Sequence, residues 1–331
     1  MITDEELDSA VAAGAISPEA ATALRTHVAG LKRTPAVDEE HFRLVSGFND
    51  VFVVVASSLL LASVAWIGAS AAPWMGAVAV CGAAWALAEF FVRKRRMALP
   101  AIVLLVAFVG GAFFAARYFL ESSAISLPVA SALAALAAWL HWMRFHVPIT
   151  VAAGATAVAA GSIASFISMV PNAESWLFPI LLFIAGLAAF GLAMRWDASD
   201  RSRLTRRSDV AFWLHLLAAP LLVHPIFTAI GVFAGETGVV QTLLVVALYF
   251  VVALVSLAID RRALMVSALG YVLYAFTSLL NQTGVVSLSF AITALIIGSA
   301  LLLLSAFWQK SRAMTVQRLP ASVQARLAPH R

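Results

Sequence analysis

Residues 239–262 read VVQTLLVVALYFVVALVSLAIDRR: 21 residues without a charge, closed by one acid and two arginines. At a rise of 1.5 Å per residue, about 20 such residues cross the ~30 Å of a bilayer's hydrocarbon. No water is available there to satisfy peptide groups, so a segment of this kind spans as a helix. Asp260, Arg261 and Arg262 then stand at the water interface. Nine more runs of the same character extend the reading in both directions: 51–69, 73–92, 99–120, 126–143, 147–170, 175–195, 210–232, 263–280 and 287–308. Only residues 70–72 separate the first two, and Pro73 opens the second. The expected fold is all-α, a polytopic helical membrane protein of about ten transmembrane helices.

Composition agrees, because 62% of the residues are hydrophobic and 12% charged, whereas a water-soluble domain carries about 25% charged residues. The pI of 9.9 does not point to nucleic acid. The basic residues lie in short linkers beside apolar runs, where membrane insertion puts them. Of the 22 Lys and Arg, all but Arg117 fall on one side of this drawing: the N-terminal head, residues 93–96, Arg144, residues 195–207, Arg261, Arg262 and the tail. By the positive-inside rule that side is cytoplasmic, and both termini are expected there. The opposite loops carry Glu121, Glu174 and Glu236, with Arg117 placed to pair with Glu121 four residues on. The single cysteine, Cys81, sits within an apolar run, which leaves no disulfide framework or cysteine metal cluster within one chain and suits a small core residue.

Three regions follow: residues 1–50 as a cytoplasmic helical hairpin and linker, 51–308 as the ten-helix transmembrane domain, and 309–331 as a basic tail. Thr3 with Glu6 forms a capping box, and Gly14 stops the first short helix. Ser17 caps a second helix, with Pro18 at its first position, running to about Leu31. The acidic start leads us to expect no cleaved leader and the first span as the insertion signal. The hairpin's apolar stripe of Leu7, Val11, Ile16, Leu24, Val28 and Leu31 is too small for an independent core. It is therefore expected to rest on itself, the membrane face or a protein partner.

Within the spans, Trp66, Trp74 and Trp176 are expected at outer ends and Trp139, Trp142, Trp196, Trp213 and Trp308 at inner ends, as interfacial anchors. Small residues recur every fourth position at Ala130, Ala134 and Ala138, at Ala153, Ala157, Gly161 and Ser165, and at Ala185, Ala189 and Ala193. Such ridges let backbones approach, and predict a wall formed by the fourth, fifth and sixth spans. Gly110 and Gly111 read as a close-packing point or hinge.

The seventh span is the least regular. Pro220 and Pro225 bracket a stretch ending in His224, and His215 lies inside the cytoplasmic end. Two prolines free backbone carbonyls and kink or break a helix, and a broken helix beside a histidine is one way to build a midplane solute site. The alternative is a kinked packing helix whose His224 makes one hydrogen bond. Tyr271 and Tyr274, with Ser278, Asn281 and Gln282, give the ninth span a polar stripe suited either to that cavity or to interhelical hydrogen bonds. His141 and His146 straddle a helix end in poor geometry for a metal and read as a solvated interfacial cluster. Glu89 is expected to pair with Arg93 one turn on. Arg93, Lys94, Arg95 and Arg96, and Arg201, Arg203, Arg206 and Arg207, are candidate contacts for anionic lipid headgroups. The linker and tail carrying such charges are expected to be solvated.

The head's pattern of Leu7, Val11, Gly14, Ile16, Ser17, Pro18, Glu19, Ala20 and Leu24 resembles the short N-terminal cytoplasmic hairpin of an uncharacterised bacterial polytopic membrane protein family, a domain of unknown function. The closing Leu319, Pro320, Arg326, Leu327 and Pro329 are also similar. The resemblance implies eight to twelve spans in a bacterial cytoplasmic membrane and brings no catalytic residue. With no zinc, nucleophile-elbow or phosphate-loop motif, we expect no enzyme, no cofactor and no metal site. The first functional reading is a membrane scaffold, or partner-binding protein, touching anionic lipid through its basic surfaces and a protein through residues 1–33. The alternative is a small-solute transporter or exporter with its site around the seventh helix.

Overall fold

The computed structural model describes residues 4–31, 48–121, 123, 125–170, 174–201, 203, 205–231, 239–282, 289–320, 324 and 327. They fall into two compact units, Met1–His41 and Phe42–Arg331. The first contains α1 (Asp4–Ala12) and α2 (Pro18–Leu31). Gly14 adopts φ +70 in the turn, a conformation that costs a residue without Cβ nothing. The Ser17 hydroxyl accepts the Ala20 N–H at 3.1 Å, as an N-cap should. Leu7 and Ala21 are buried. Thr3, the linker at 34–40 and most of the lead-in to the first span lie outside the described residues.

The second unit contains α3 (Phe48–Ala69), α4 (Pro73–Ala88, extended by a π-turn over Glu89–Lys94), α5 (Ala98–Phe119), α6 (Ser126–Phe145) and α7 (Ile149–Met169). It continues with α8 (Glu174–Ser199), α9 (Arg206–Ala229), α10 (Val239–Ile259), α11 (Ala263–Gln282), α12 (Ser289–Ala306) and α13 (Trp308–Val316). Among the described residues eight helices are long and apolar enough to cross a membrane, or nine if Ala291–Ala306 and Trp308–Val316, bent by 73° at Phe307, count as one span. α11 contributes a shorter apolar stretch, Ala268–Ser278. The protein is thus an all-α polytopic membrane protein with eight to nine candidate spans. Its outward side chains are apolar: Leu59, Phe250 and Leu302 are all more than 60% exposed, which suits hydrocarbon and not water.

Helix contacts are made where side chains are small. A Cβ on Gly68 would stand 2.7 Å from Gly76 Cα, so α3 and α4 cross backbone to backbone. Gly111 of α5 faces Cys81 and the Ala77 carbonyl of α4 in the same way, whereas Gly110 meets nothing within 4 Å. Cys81 is partly buried, its Sγ 3.4 Å from the Phe108 carbonyl. Ala130, Ala134 and Ala138 are buried, and α6 meets α7 at Gly161, where a Cβ would come within 2.9 Å of Ser131 Cβ. α8 departs from the expected wall, since its tight contact, at Gly186, is against Leu221 and Leu222 of α9.

α9 is also unbroken. It runs from Arg206 to Ala229 through both prolines. Its enclosure explains why: Ala218, Ala219, Val223, Pro225 and Phe227 are buried against neighbouring helices. Tertiary packing keeps a span helical where proline removes single hydrogen bonds. The anchors divide in a similar way. Trp66, Trp139 and Trp176 are more than half exposed, but Trp308 is 3% exposed and belongs to the interior.

Candidate functional site

The charged linkers after α8 and α10 and the short helix α13 are far apart in sequence, yet they meet at one end of the second unit. Asp197, in the last turn of α8, is the first centre. Its carboxylate accepts from Arg261 Nη2 at 2.5 Å and Nε at 3.2 Å, and from His215 Nε2 at 2.9 Å. Arg261 Nη2 also donates to the Ser208 carbonyl and hydroxyl, at 3.1 and 3.0 Å. Arg261 is 1% exposed and His215 fully buried. His215 Nδ1 has no hydrogen-bond partner among the described residues.

Asp260, the residue before Arg261, is the second centre. Its Oδ2 accepts from Arg203 Nη1 at 3.0 Å and its Oδ1 from Trp308 Nε1 at 2.8 Å, while Arg312 Nε stands 3.6 Å from Oδ1. Arg203 Nη2 also reaches the Ile259 carbonyl at 3.0 Å, and the Arg262 guanidinium lies 4.8 Å over the Trp308 ring. Asp200 closes the loop by accepting the Thr205 N–H and hydroxyl at 2.9 and 2.6 Å, and Thr205 caps α9. Arg201 donates to the Leu327 carbonyl from Nη2 at 2.9 Å, and Leu327 packs with Val316, Ile259 and Leu264. Linker and tail are therefore partly built into the unit and are not the solvated segments expected. Buried charges survive only when paired and hydrogen-bonded, and here two carboxylates, Asp197 and Asp260, organise three buried arginines.

The sequence-predicted residues fare unevenly. His224 Nδ1 and Tyr271 Oη are hydrogen-bonded at 2.7 Å, and the Tyr271 ring stacks on Phe227 at 4.4 Å. Pro225 is buried beside them, but Pro220 and Tyr274 are exposed. Of the candidate headgroup contacts, Arg93, Lys94, Arg95, Arg96, Arg201, Arg206 and Arg207 are exposed. Arg203 is not: at 8% exposure and bonded to Asp260, it is closed to a headgroup. His141 is no solvated residue either. It is fully buried, its Nδ1 lies 3.2 Å from Thr150 Oγ1, and Trp85, Phe108 and Phe145 surround its ring. Glu89 does bind Arg93, at 3.3 Å, but more tightly binds Arg144, at 2.6 and 2.9 Å. On the opposite side Arg117 bonds the Glu121 backbone carbonyl.

A separate apolar cavity of about 520 Å³ lies among α6, α7, α8 and α9, lined by Leu127, Ile163, Phe178, Leu217 and Leu221, with Thr156 and Ser168 as its hydroxyls. Neither His224 nor Tyr271 reaches it. Sequence reasoning passed over Asp197, Asp260 and Arg312, whose only signal was acids interleaved with arginines beside span ends. No protein-family model, no curated protein and no solved structure matches this chain.

Proposed function

We propose that the protein is a multi-pass scaffold of a bacterial cytoplasmic membrane, with ten helices, both termini inside, and a basic cytoplasmic face that holds anionic lipid. The head hairpin, with its likeness to that of an uncharacterised bacterial family, offers residues 1–33 to a protein partner. One observation carries the reading: the Asp197 and Asp260 networks fix two distant linkers, α13 and part of the tail at one end, and exposed arginines lie beside them. A locked platform presents its charges without first ordering its loops, which lowers the cost of binding.

The test is lipid retention in nanodiscs. The full-length protein should keep phosphatidylglycerol over phosphatidylcholine, and neutralising Lys94, Arg95 and Arg207 should weaken that preference by roughly fivefold per residue at low salt. Equal retention of both lipids would sink the proposal. Deleting residues 1–33 should release a co-purifying protein and leave lipid preference intact.

The second reading, a carrier of a small apolar or neutral solute, is favoured by the cavity beside Leu217 and Leu221 of the seventh span, α9. Under it, Leu217→Trp, which puts a larger side chain into the cavity lining, abolishes solute binding and spares insertion. Unchanged binding in that variant would remove the site.

A further inference from the structure

A cleft of about 410 Å³ opens at the charged end of the second unit, where residues of α4, α5, α6, α7 and α9 meet. Arg93, Arg96, Arg144 and Arg206 line it, against one carboxylate, Asp209. His146 adds a polar edge, while Ile102 and Trp213 supply apolar wall. Glu89 bonds Arg93 and Arg144, and Asp209 is the one carboxylate in the lining, so four guanidiniums against two carboxylates leave the cleft with an excess of positive charge that favours an anion.

Backbone adds to the same field. The starts of α5, α7 and α9 all border the cleft, through Ala98, Ile149 and Arg206. Helix starts carry unsatisfied N–H groups and partial positive charge, which makes them anion sites. Thr205 caps α9 with its side chain, and the Val147 and Pro148 carbonyls accept the Thr150 and Val151 N–H groups at the start of α7, but Met97, the N-cap residue of α5, makes no side-chain cap bond. The helix ends that also reach the cleft, at the π-turn and at α6, carry Arg93 and Arg144 in their last turns.

Glu89 sets the arginines. It holds Arg144 in a two-bond fork and Arg93 in a single bond. Arg96 and Arg206, by contrast, make no ion pair among the described residues and are exposed. The lining is also held in costly backbone: Arg96 and His146 have φ +54 and +53, and Arg93 belongs to the π-turn. Such departures concentrate at functional sites.

We infer that this cleft is a built site for a phosphate-type anion, a phosphomonoester or phosphodiester group whose oxygens meet Arg96, Arg206 and the uncapped start of α5. The organic part of the ligand lies along Ile102 and Trp213. The inference rests on the reading of this end as an anion-contacting face, and narrows it from diffuse attraction to one place. A lipid headgroup and a soluble phosphorylated compound share this chemistry.

The experiment uses the full chain in nanodiscs with Arg96→Gln, Arg206→Gln and, as charge-matched controls, the exposed Lys310→Gln and Arg318→Gln outside the cleft. Inorganic phosphate is titrated by calorimetry into phosphatidylcholine discs, and retained phosphatidylglycerol is counted by native mass spectrometry from mixed discs. Saturable phosphate binding that weakens roughly tenfold in Arg96→Gln and Arg206→Gln, with the controls unchanged, supports the site and a soluble ligand. No phosphate binding, but retained phosphatidylglycerol lost only in those two variants, supports the site and a lipid ligand. Equal losses in Arg206→Gln and Arg318→Gln overturn the cleft while leaving the diffuse basic face standing. No binding in either arm overturns both. Unchanged thermal unfolding of all four variants without added anion checks that the fold is intact, as expected of exposed side chains.

Discussion

Replacing Asp197 by Asn tests whether the polar interior holds the charged end together. The substitution leaves Arg261 its two bonds to Ser208 but removes the only carboxylate bonded to it at 2.5 and 3.2 Å among the described residues. Arg261 is 1% exposed, so water does not take the place of that carboxylate. At an effective dielectric near 20, unit charges about 4 Å apart attract by about 4 kcal/mol, and breaking one partner of a buried pair costs about 3–5 kcal/mol. His215, 2.9 Å from the same carboxylate, loses a charge-assisted bond as well. We expect Asp197→Asn to lower stability by about 3–5 kcal/mol in sodium dodecyl sulfate titrations of mixed micelles followed by tryptophan fluorescence. Arg261→Met alone leaves a partly buried carboxylate and should cost a similar amount. The double variant removes both charges and should recover much of the loss, because an apolar replacement of a buried pair is often near neutral. The double-mutant cycle then reports a large coupling between the two. A cost below about 1 kcal/mol for Asp197→Asn, the range of solvated surface pairs, would refute the argument that this pair is buried and structural.

Two further outcomes follow from geometry. Gly111→Ala drives a Cβ to 2.8 Å from Cys81 Sγ and 3.0 Å from the Ala77 carbonyl, and should destabilise by about 1–3 kcal/mol through overpacking, whereas Gly110→Ala, with nothing within 4 Å, should be neutral or mildly stabilising; equal effects in thermal unfolding would contradict the α4–α5 contact. Tyr271→Phe keeps the ring stacked on Phe227 and removes the hydroxyl bonded to His224, so its unfolding cost should be about 0.6 kcal/mol for that bond, and a loss several times larger would place the pair in a wider polar network.

Much of this fold was legible because lipid imposes a simple rule: apolar runs near 20 residues become helices. Eight of the expected spans appear as long helices, and small residues bring α6 and α7 together, although Gly161 meets Ser131 and Ala138 meets Gly154, each pair joining one residue of an expected ridge to one outside it. What was not legible depended on which distant segments meet. The prolines of α9 predict a kink locally, but its burial against α8 and α11 keeps it helical. Asp197, Asp200 and Asp260 look like solvated acids balancing arginines in loops, and periodicity does not show that the loops fold over one another. The same blindness affected Arg203, read as a headgroup contact when its partner lay 57 residues away on Asp260. Arg144 was visible, but its fork to Glu89, 55 residues distant, was hidden behind the local i, i+4 partner Arg93.

Arg203 and Asp260 show how those loops are held, because both have left-handed backbone, at φ +56 and +61, and each is the other's ion-pair partner at 3.0 Å. A side chain in that region costs roughly 1–2 kcal/mol that glycine would avoid, and it persists only where surrounding contacts over-determine it. The ion pair, the Arg203 bond to the Ile259 carbonyl and the Trp308 bond to Asp260 supply those contacts. Arg203→Ala and Arg203→Gly both delete the pair, but only glycine relieves the strain. Arg203→Gly should therefore be the more stable of the two by about 1 kcal/mol, after allowing for glycine's greater freedom in the unfolded chain. Both should fall below wild type, since Asp260 is left buried with less positive charge beside it. If the alanine variant proved at least as stable as the glycine variant in the same unfolding assay, the turn would not be strained. The buried ion pair would then serve only to neutralise charge, not to impose a conformation on the loop that carries Arg206 to the cleft.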